Sequence, residues 1–401
     1  MRLVITVGVC TAMALGVPAI AFAQDPQHAG HEQMHMSPAG WHFMEDGVVF
    51  ALFNQQGGPR GGREFVAPNW WMGMAMRDKG RHQFNLSAML SLDAATVGRK
   101  GYRELFQAGE ALDGQPVIDR QHPHDLFMQL SGSWRIQLNS TTALTFAGGP
   151  VGEPTLGPAA YMHRPSASGL VFAPLGHHTF DSTHISFGVA TASLDRGRWT
   201  IEGSVFNGRE PDDHRWDFDF GAMDSAAGRV WFRPSREWEF QVSSGRLRNP
   251  EELEPGDVTR TTASGSWFRL RGDSLGAVTA GYGVNVEHGE RRKAFFGEFT
   301  VERGRHSLSA RLNVQQLKGN VTVADMTAGA TRRVASWRGF DGAVGAHVTF
   351  PAVPDTLRPD YCSRPVSFEI FFRLRVPAGM GRMWNMRMSR GHQAEDMADH
   401  R

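Results

Sequence analysis

Apolar and polar residues alternate with a period of two along most of this chain. In "RHQFNLSAMLSLD" (81–93) one face carries His82, Phe84, Leu86, Ala88, Leu90 and Leu92, and the other Gln83, Asn85, Ser87, Met89, Ser91 and Asp93. "RWTIEGSVF" (198–206) sets Trp199, Ile201, Gly203 and Val205 against Thr200, Glu202 and Ser204. "REWEFQVSS", "LSARLNVQ" and "SFEIFFRLRV" read the same way. Successive side chains of a strand point to opposite sides, so this pattern predicts strands with one apolar and one polar face. Many runs reach ten residues. Soluble sandwich strands have about five or six, whereas a tilted strand crossing an outer membrane needs roughly 9–11.

The connections alternate as well. Short ones fall at 77–80, 138–141, 195–197, 234–237, 271–274 and 303–305, and long ones at 94–123, 150–181, 209–224 and 248–257. Together these features predict an all-β chain, a transmembrane antiparallel up-and-down β-barrel over 46–378, with long outer loops folding toward the lumen. Fifteen runs are visible, and a single-chain barrel with both ends on one side needs an even number. "NVTVADMTA" (320–328) supplies another, giving about 16 strands, with 14 as the alternative. Glu202, Glu239, Glu298, Glu302, Arg229, Arg311, Arg373 and Arg375 fall on inward faces, which implies either a salt-bridged, partly filled lumen or a polar channel.

Composition narrows the setting. Arg2, the apolar run Leu3 to Phe22 and Ala21-Phe22-Ala23 before Gln24 read as a signal peptide over 1–23. Residues 24–45 are expected to be a disordered His/Met-rich lead, and 379–401 a polar tail containing Met and His. Beyond the signal peptide Cys362 is the one cysteine, so no intrachain disulfide forms. The 42 basic and 41 acidic residues nearly cancel, which gives no basis for nucleic-acid binding. Only Lys79, Lys100, Lys293 and Lys318 are lysines, and such a preference for arginine suits fixed, buried ion pairs.

Two loop ends carry candidate chemistry. "IDRQHPHDLF" holds His122, His124 and Asp125, and "PLGHHTFDSTHI" holds His177, His178, Asp181 and His184. Imidazole with carboxylate suits zinc, copper, nickel or iron. The other reading is a hydrogen-bonded loop clamp without metal. His184 is expected to begin a strand, facing the lumen with Ser186 and Gly188. The lead adds His28, His31, Met34, His35 and Met36, a thioether–imidazole set that suits copper. Met72, Met74 and Met76 share one strand face, and more methionines lie in the tail. Ser182 beside His184 and Asp181 admits a lipid hydrolase, although no oxyanion motif is visible. "NGREPDDHRWDFD" (207–219) reads as a solvated acidic loop.

The segments "GVVFALFNQQGGPRGG", "VIDRQHPHDLFMQLSGSW", "YMHRPSA", "PLGHHTFDSTHISFGV" and "GSVFNGREPDDHRWDFD" resemble a family of bacterial outer-membrane β-barrels of unassigned chemistry. That family in turn resembles copper-resistance outer-membrane components in its His/Met-rich lead. The resemblance implies treating the seven loop residues as one unit and a tie to copper handling, although the long tandem Met-His repeats of such barrels are missing. The expected function is a non-enzymatic channel or binding platform in the cell outer membrane, linked to transition metals. Copper or zinc is the possible bound ion, and lipid, metal ions or small solutes are the partners. The alternatives are an outer-membrane lipid hydrolase and a general solute porin with histidine-rich structural loops.

Overall fold

A computed structural model describes residues 40–376, Asp273 excepted. The expected signal peptide, most of the lead with its His28, His31, Met34, His35 and Met36, and the tail lie outside the described residues.

Sixteen antiparallel strands close on themselves. They are β1 His42–Gln56, β2 in two pieces (Gly62–Val66 and Asn69–Lys79), β3 His82–Leu90, β4 Phe127–Asn139, β5 Thr142–Gly152, β6 Ser186–Arg196, β7 Trp199–Phe206 and β8 Ser225–Ser235. They continue with β9 Trp238–Leu247, β10 Val258–Arg271, β11 Ser274–Glu287, β12 Glu290–Arg303, β13 His306–Gln316, β14 Thr322–Trp337, β15 Phe340–Ala352 and β16 Ser367–Arg375. Closure is made by β1 against β16, with Val48 opposite Arg375 and Gln55 opposite Phe368. The break in β2 falls at Ala67 and Pro68, where proline has no N–H to give to a ladder. Residues 42–45 of the expected lead belong to β1.

The segment 320–328 is the start of β14, which completes the expected sixteen. One of the fifteen alternating runs, 335–350, straddles a turn at Arg338 and Gly339. Both residues have positive φ, at 47° and 82°, as a two-residue hairpin with the right-handed strand twist requires.

Burial is inverted relative to a water-soluble protein. In β9, Trp238, Phe240 and Val242 are exposed while Glu239, Gln241 and Ser243 are buried. The same inversion exposes Ile201, Val278, Val301, Leu308 and Ile370 around the wall. An apolar outer surface of this extent is stable only against lipid. Trp199, Trp238 and Trp337 adjoin short turns and are exposed, the arrangement of an interfacial aromatic girdle. Both described chain ends and seven two-residue turns lie at that end. The opposite end carries the long connections 91–126, 153–185, 207–224, 248–257 and 353–366.

A charge on the outer wall should therefore be costly. Val242→Arg is expected to destabilise the barrel by about 2–4 kcal/mol, read by urea unfolding in lipid bilayers. An unchanged midpoint would place Val242 in water.

Candidate functional site

The loop 153–185 folds into the lumen and is held by inward-facing side chains from many strands. On β8, Arg229 donates to the Gly157 carbonyl at 2.9 Å. On β10, Arg260 donates to the His178 carbonyl at 2.6 Å and to Ser182 Oγ at 3.0 Å. Thr300 on β12 donates to the Ser166 carbonyl, Arg311 on β13 to that of Phe172, and Arg373 on β16 to that of Ser168, at 2.7–2.9 Å. At the centre Glu298 on β12 accepts from Arg164 at 2.7 Å, Arg311 at 2.9 Å and Ser166 at 2.9 Å. The arginine excess has this physical use: a planar guanidinium spans carboxylate and carbonyl acceptors together. Of the two lumen arrangements expected, the salt-bridged, partly filled one is present. Arg229–Glu202 at 2.8 Å, Arg233–Glu239 at 2.8 Å and Arg375–Glu302 at 3.0 Å line the wall.

This anchoring brings the two histidine clusters together. Loop 91–126 presents His122 and His124. Loop 153–185 presents His177, in the short helix α1 (His177–Phe180), and His184, in a 3-10 turn ahead of β6. His184 is thus not the first residue of a strand, because the loop stays coiled until Ser186. The four imidazoles form a closed quadrilateral. Ring centroids are 6.4 Å apart for His122–His124, 5.7 Å for His124–His184, 5.3 Å for His177–His184 and 6.5 Å for His122–His177.

Each ring commits the same nitrogen outward. His122 Nδ1 meets the Pro123 carbonyl at 2.9 Å, and His124 Nδ1 meets Asp93 Oδ2 at 2.8 Å. His177 Nδ1 meets Asp181 Oδ1 at 2.8 Å, and His184 Nδ1 meets the Asp181 carbonyl at 2.7 Å. Carbonyl and carboxylate oxygens only accept, so the hydrogen sits on Nδ1, and a ring in its neutral form then has its lone pair on Nε2. His184 Nε2 is buried with no hydrogen-bond partner. Burial holds the His122 and His184 pKa values well below the ordinary range, helped by Arg215 beside His122 and by the neighbouring histidines at His184. Burial also opposes ionisation of Asp181, but its hydrogen bond from His177 and the charge of Arg164 outweigh this and keep it below the usual carboxylate range.

These shifts fix a pH response. Free histidine gains its proton near pH 6.5, while buried His122 and His184 do so only at lower pH. The unfolded chain then binds more protons than the folded one below pH 6.5, so docking of the loops weakens as pH falls from there. Thermal unfolding should show a falling midpoint on acidification below pH 6.5, and a midpoint flat down to pH 5 would contradict the assignment of neutral buried rings.

The remaining residues of the expected seven separate from this quartet. Asp125 is buried and pairs with Arg215 at 3.2 Å, so it serves a loop–loop contact. Asp181 holds two rings and Arg164 and has little left for an ion. His178 turns away to Glu210 at 3.0 Å and Glu251 at 3.7 Å. Ser182 Oγ is bonded to Arg260 rather than to His184, so the arrangement a serine hydrolase needs is not assembled. Met72 and Met74 face inward and pack with Met89, Met128, Met162 and Trp70 as lumen core. Asp93, which orients His124 across 31 residues, has no spacing signal in the sequence. Glu210 and Glu251 come from other loops and carried none either.

Two cavities are lined by members of the quartet. An outer one of about 210 Å³ is lined by His122, His184, Glu210, Asp212, Asp213 and Glu251. An inner one of about 280 Å³ is lined by Asp93, His124, Tyr161, Met162 and, toward the short turns, Gly272, Gly304 and Arg375. The imidazoles stand between an acidic outer vestibule and the opposite end of the lumen.

Comparison with known proteins adds the fold. No protein-family model matches the chain, and no curated protein matches it either, so the resemblance to copper-resistance components gains no support. Among solved structures, a loop-deletion mutant of OmpT, an outer membrane protein of Vibrio cholerae, matches with a TM-score of 0.52 at 10% identity, covering 84% of this chain and 99% of that one. An anion-selective porin from Comamonas acidovorans gives 0.52 at 8% identity, covering 84% and 100%. OprB of Pseudomonas putida gives 0.51 at 9% identity, covering 84% and 94%. At such identities the likeness is one of architecture: this chain has the fold of the outer-membrane β-barrels.

Proposed function

We propose that this barrel is a non-enzymatic, metal-binding component of the outer membrane. In this reading the inward-folded loops hold one first-row transition-metal ion on Nε2 of His122, His124, His177 and His184, between the outer and inner cavities. The carrying observation is the uniform commitment of Nδ1 in four neighbouring rings from two loops, with His184 Nε2 buried and unpartnered among them. Metal-bound histidines are commonly oriented in this way, by a carboxylate or carbonyl on the other ring nitrogen. Around a tetrahedral ion with metal–nitrogen distances of ~2.0–2.1 Å, neighbouring centroids stand roughly 5 Å apart, so His122 must move toward the other three rings before all four nitrogens reach one ion. An all-imidazole set suits zinc and copper(II), and the usual order of affinities favours copper(II) over zinc. A loop crossing the lumen speaks against unrestricted solute diffusion, the competing porin reading.

The test is a zinc titration of the refolded full chain in detergent. Asp93→Asn leaves one acceptor oxygen where the Asn69 N–H and the His124 ring each use one, and it keeps the ring in place. Its expected cost is ~10–100-fold in affinity for the inner ion. Equal affinity in both proteins, or no binding in either, overturns the reading.

A further inference from the structure

We infer that the outer vestibule carries a second cation site, formed by His178, Glu210 and Glu251, which captures a divalent metal from outside and loads the histidine quartet. The ligand atoms of these three residues all lie within 4.8 Å of one another. They come from three different loops, and the protein builds their proximity: the Glu210 N–H donates to the Pro250 carbonyl at 2.9 Å, joining the loops that carry the two carboxylates. His178 is fixed from below, where Arg260 and Asn285 both donate to its carbonyl, at 2.6 and 3.0 Å. His178 is buried and the two glutamates are half-buried, so the site is lipped rather than flat.

One imidazole with two carboxylates is a mixed nitrogen–oxygen set that takes zinc, manganese or iron(II) without demanding a rigid geometry. The position suits loading. The His178 ring lies 5.5 Å from that of His177, a quartet member. The cavity that Glu210 and Glu251 line also reaches His184, whose buried Nε2 has no partner. The vestibule lining sets Glu210, Asp212, Asp213, Glu251 and Glu252 against Arg209 and Arg215, so it is net acidic toward an arriving cation. A cation would pass from carboxylates that bind it loosely and hydrated to imidazoles that bind it dry.

Binding at this outer site stands by itself, whereas the loading step rests on the quartet reading. The experiment separates them, using zinc alone as the probe on the full refolded chain, with heat-modifiable gel mobility as the check on folding. Wild type should take up two equivalents. Glu210→Gln with Glu251→Gln should take up one and fill the quartet ~10-fold more slowly, because the focusing charge is gone. His124→Ala with His184→Ala should retain the outer equivalent. An unchanged stoichiometry and rate in the glutamine variant overturns the inference and leaves the quartet untouched. One equivalent in wild type, lost in the glutamine variant and kept in the alanine variant, upholds the outer site and removes the quartet. Loss of the second equivalent in Asp212→Asn with Asp213→Asn, but not in the glutamine variant, also overturns the inference, placing the ion on the exposed acidic loop.

Discussion

Alanine at both His124 and His184 should abolish tight zinc binding at the centre of the barrel while the barrel itself still forms. The two residues come from different loops and their rings are 5.7 Å apart, so the pair removes one donor from each side of the quadrilateral. Two imidazoles remain, His122 and His177, which is fewer than the three protein ligands usual for zinc even at open sites. The variant's wall strands are unaltered, so its heat-modifiable mobility should match wild type. The measurement is equilibrium dialysis against zinc, with copper(II) as competitor. Retention of full inner-site affinity would show that the rings form only a hydrogen-bonded clamp, the alternative the sequence leaves open.

The second large effect is expected at Glu298. Its carboxylate lies fully inside the lumen between Arg164 and Arg311, and Arg311 Nη2 has no partner already. Glu298→Ala strips both guanidiniums of a shared counter-charge. Breaking a buried pair from one side costs about 3–5 kcal/mol, because the stranded charge remains. That penalty falls on docking of the 153–185 loop rather than on the strand ladder, whose backbone bonds are untouched. The loop should leave the lumen in a large fraction of molecules. Planar-bilayer recordings should then show a marked rise in single-channel conductance, and zinc binding should weaken in parallel because His177 and His184 travel with the loop. A folded variant with wild-type conductance would show that the loop is held by its other bonds alone.

Which parts of this molecule the sequence discloses follows from how each is specified. The wall is written locally. Period-two alternation is a nearest-neighbour property, and a strand such as Trp238–Leu247 declares both faces within ten residues. The one misread run, 335–350, arose because Arg338 and Gly339 carry little turn signal amid continuous alternation. The site is written non-locally. His122 and His124 were visible as a motif, and so were His177, His178 and His184, but their grouping depends on Arg260, Glu298 and Arg311, each more than 70 residues from its loop partner. Sequence spacing could not separate His178 from the quartet, since His177 and His178 are adjacent and only the three-dimensional placement of Glu210 and Glu251 divides them. Asp93 was equally hidden: it closes one long run as an ordinary polar position and becomes a histidine's acceptor only once loop 91–126 folds back.

The lumenal loop also bears on the order in which the molecule is made. Its fastenings reach strands from β7 to β16, the most distant in sequence being Arg373 to Ser168, 205 residues apart. Contacts of that separation are the slowest to form, because the intervening chain must be ordered first. While the wall is an open, growing sheet, the loop has no complete set of acceptors and donors to grip, and the four imidazoles have no reason to meet. The centre is therefore a late product of biogenesis, competent only after the last strand has sealed against the first. A half-inserted or mis-sealed barrel would carry every histidine and still leave the quartet apart, so any metal capture there would depend on successful assembly.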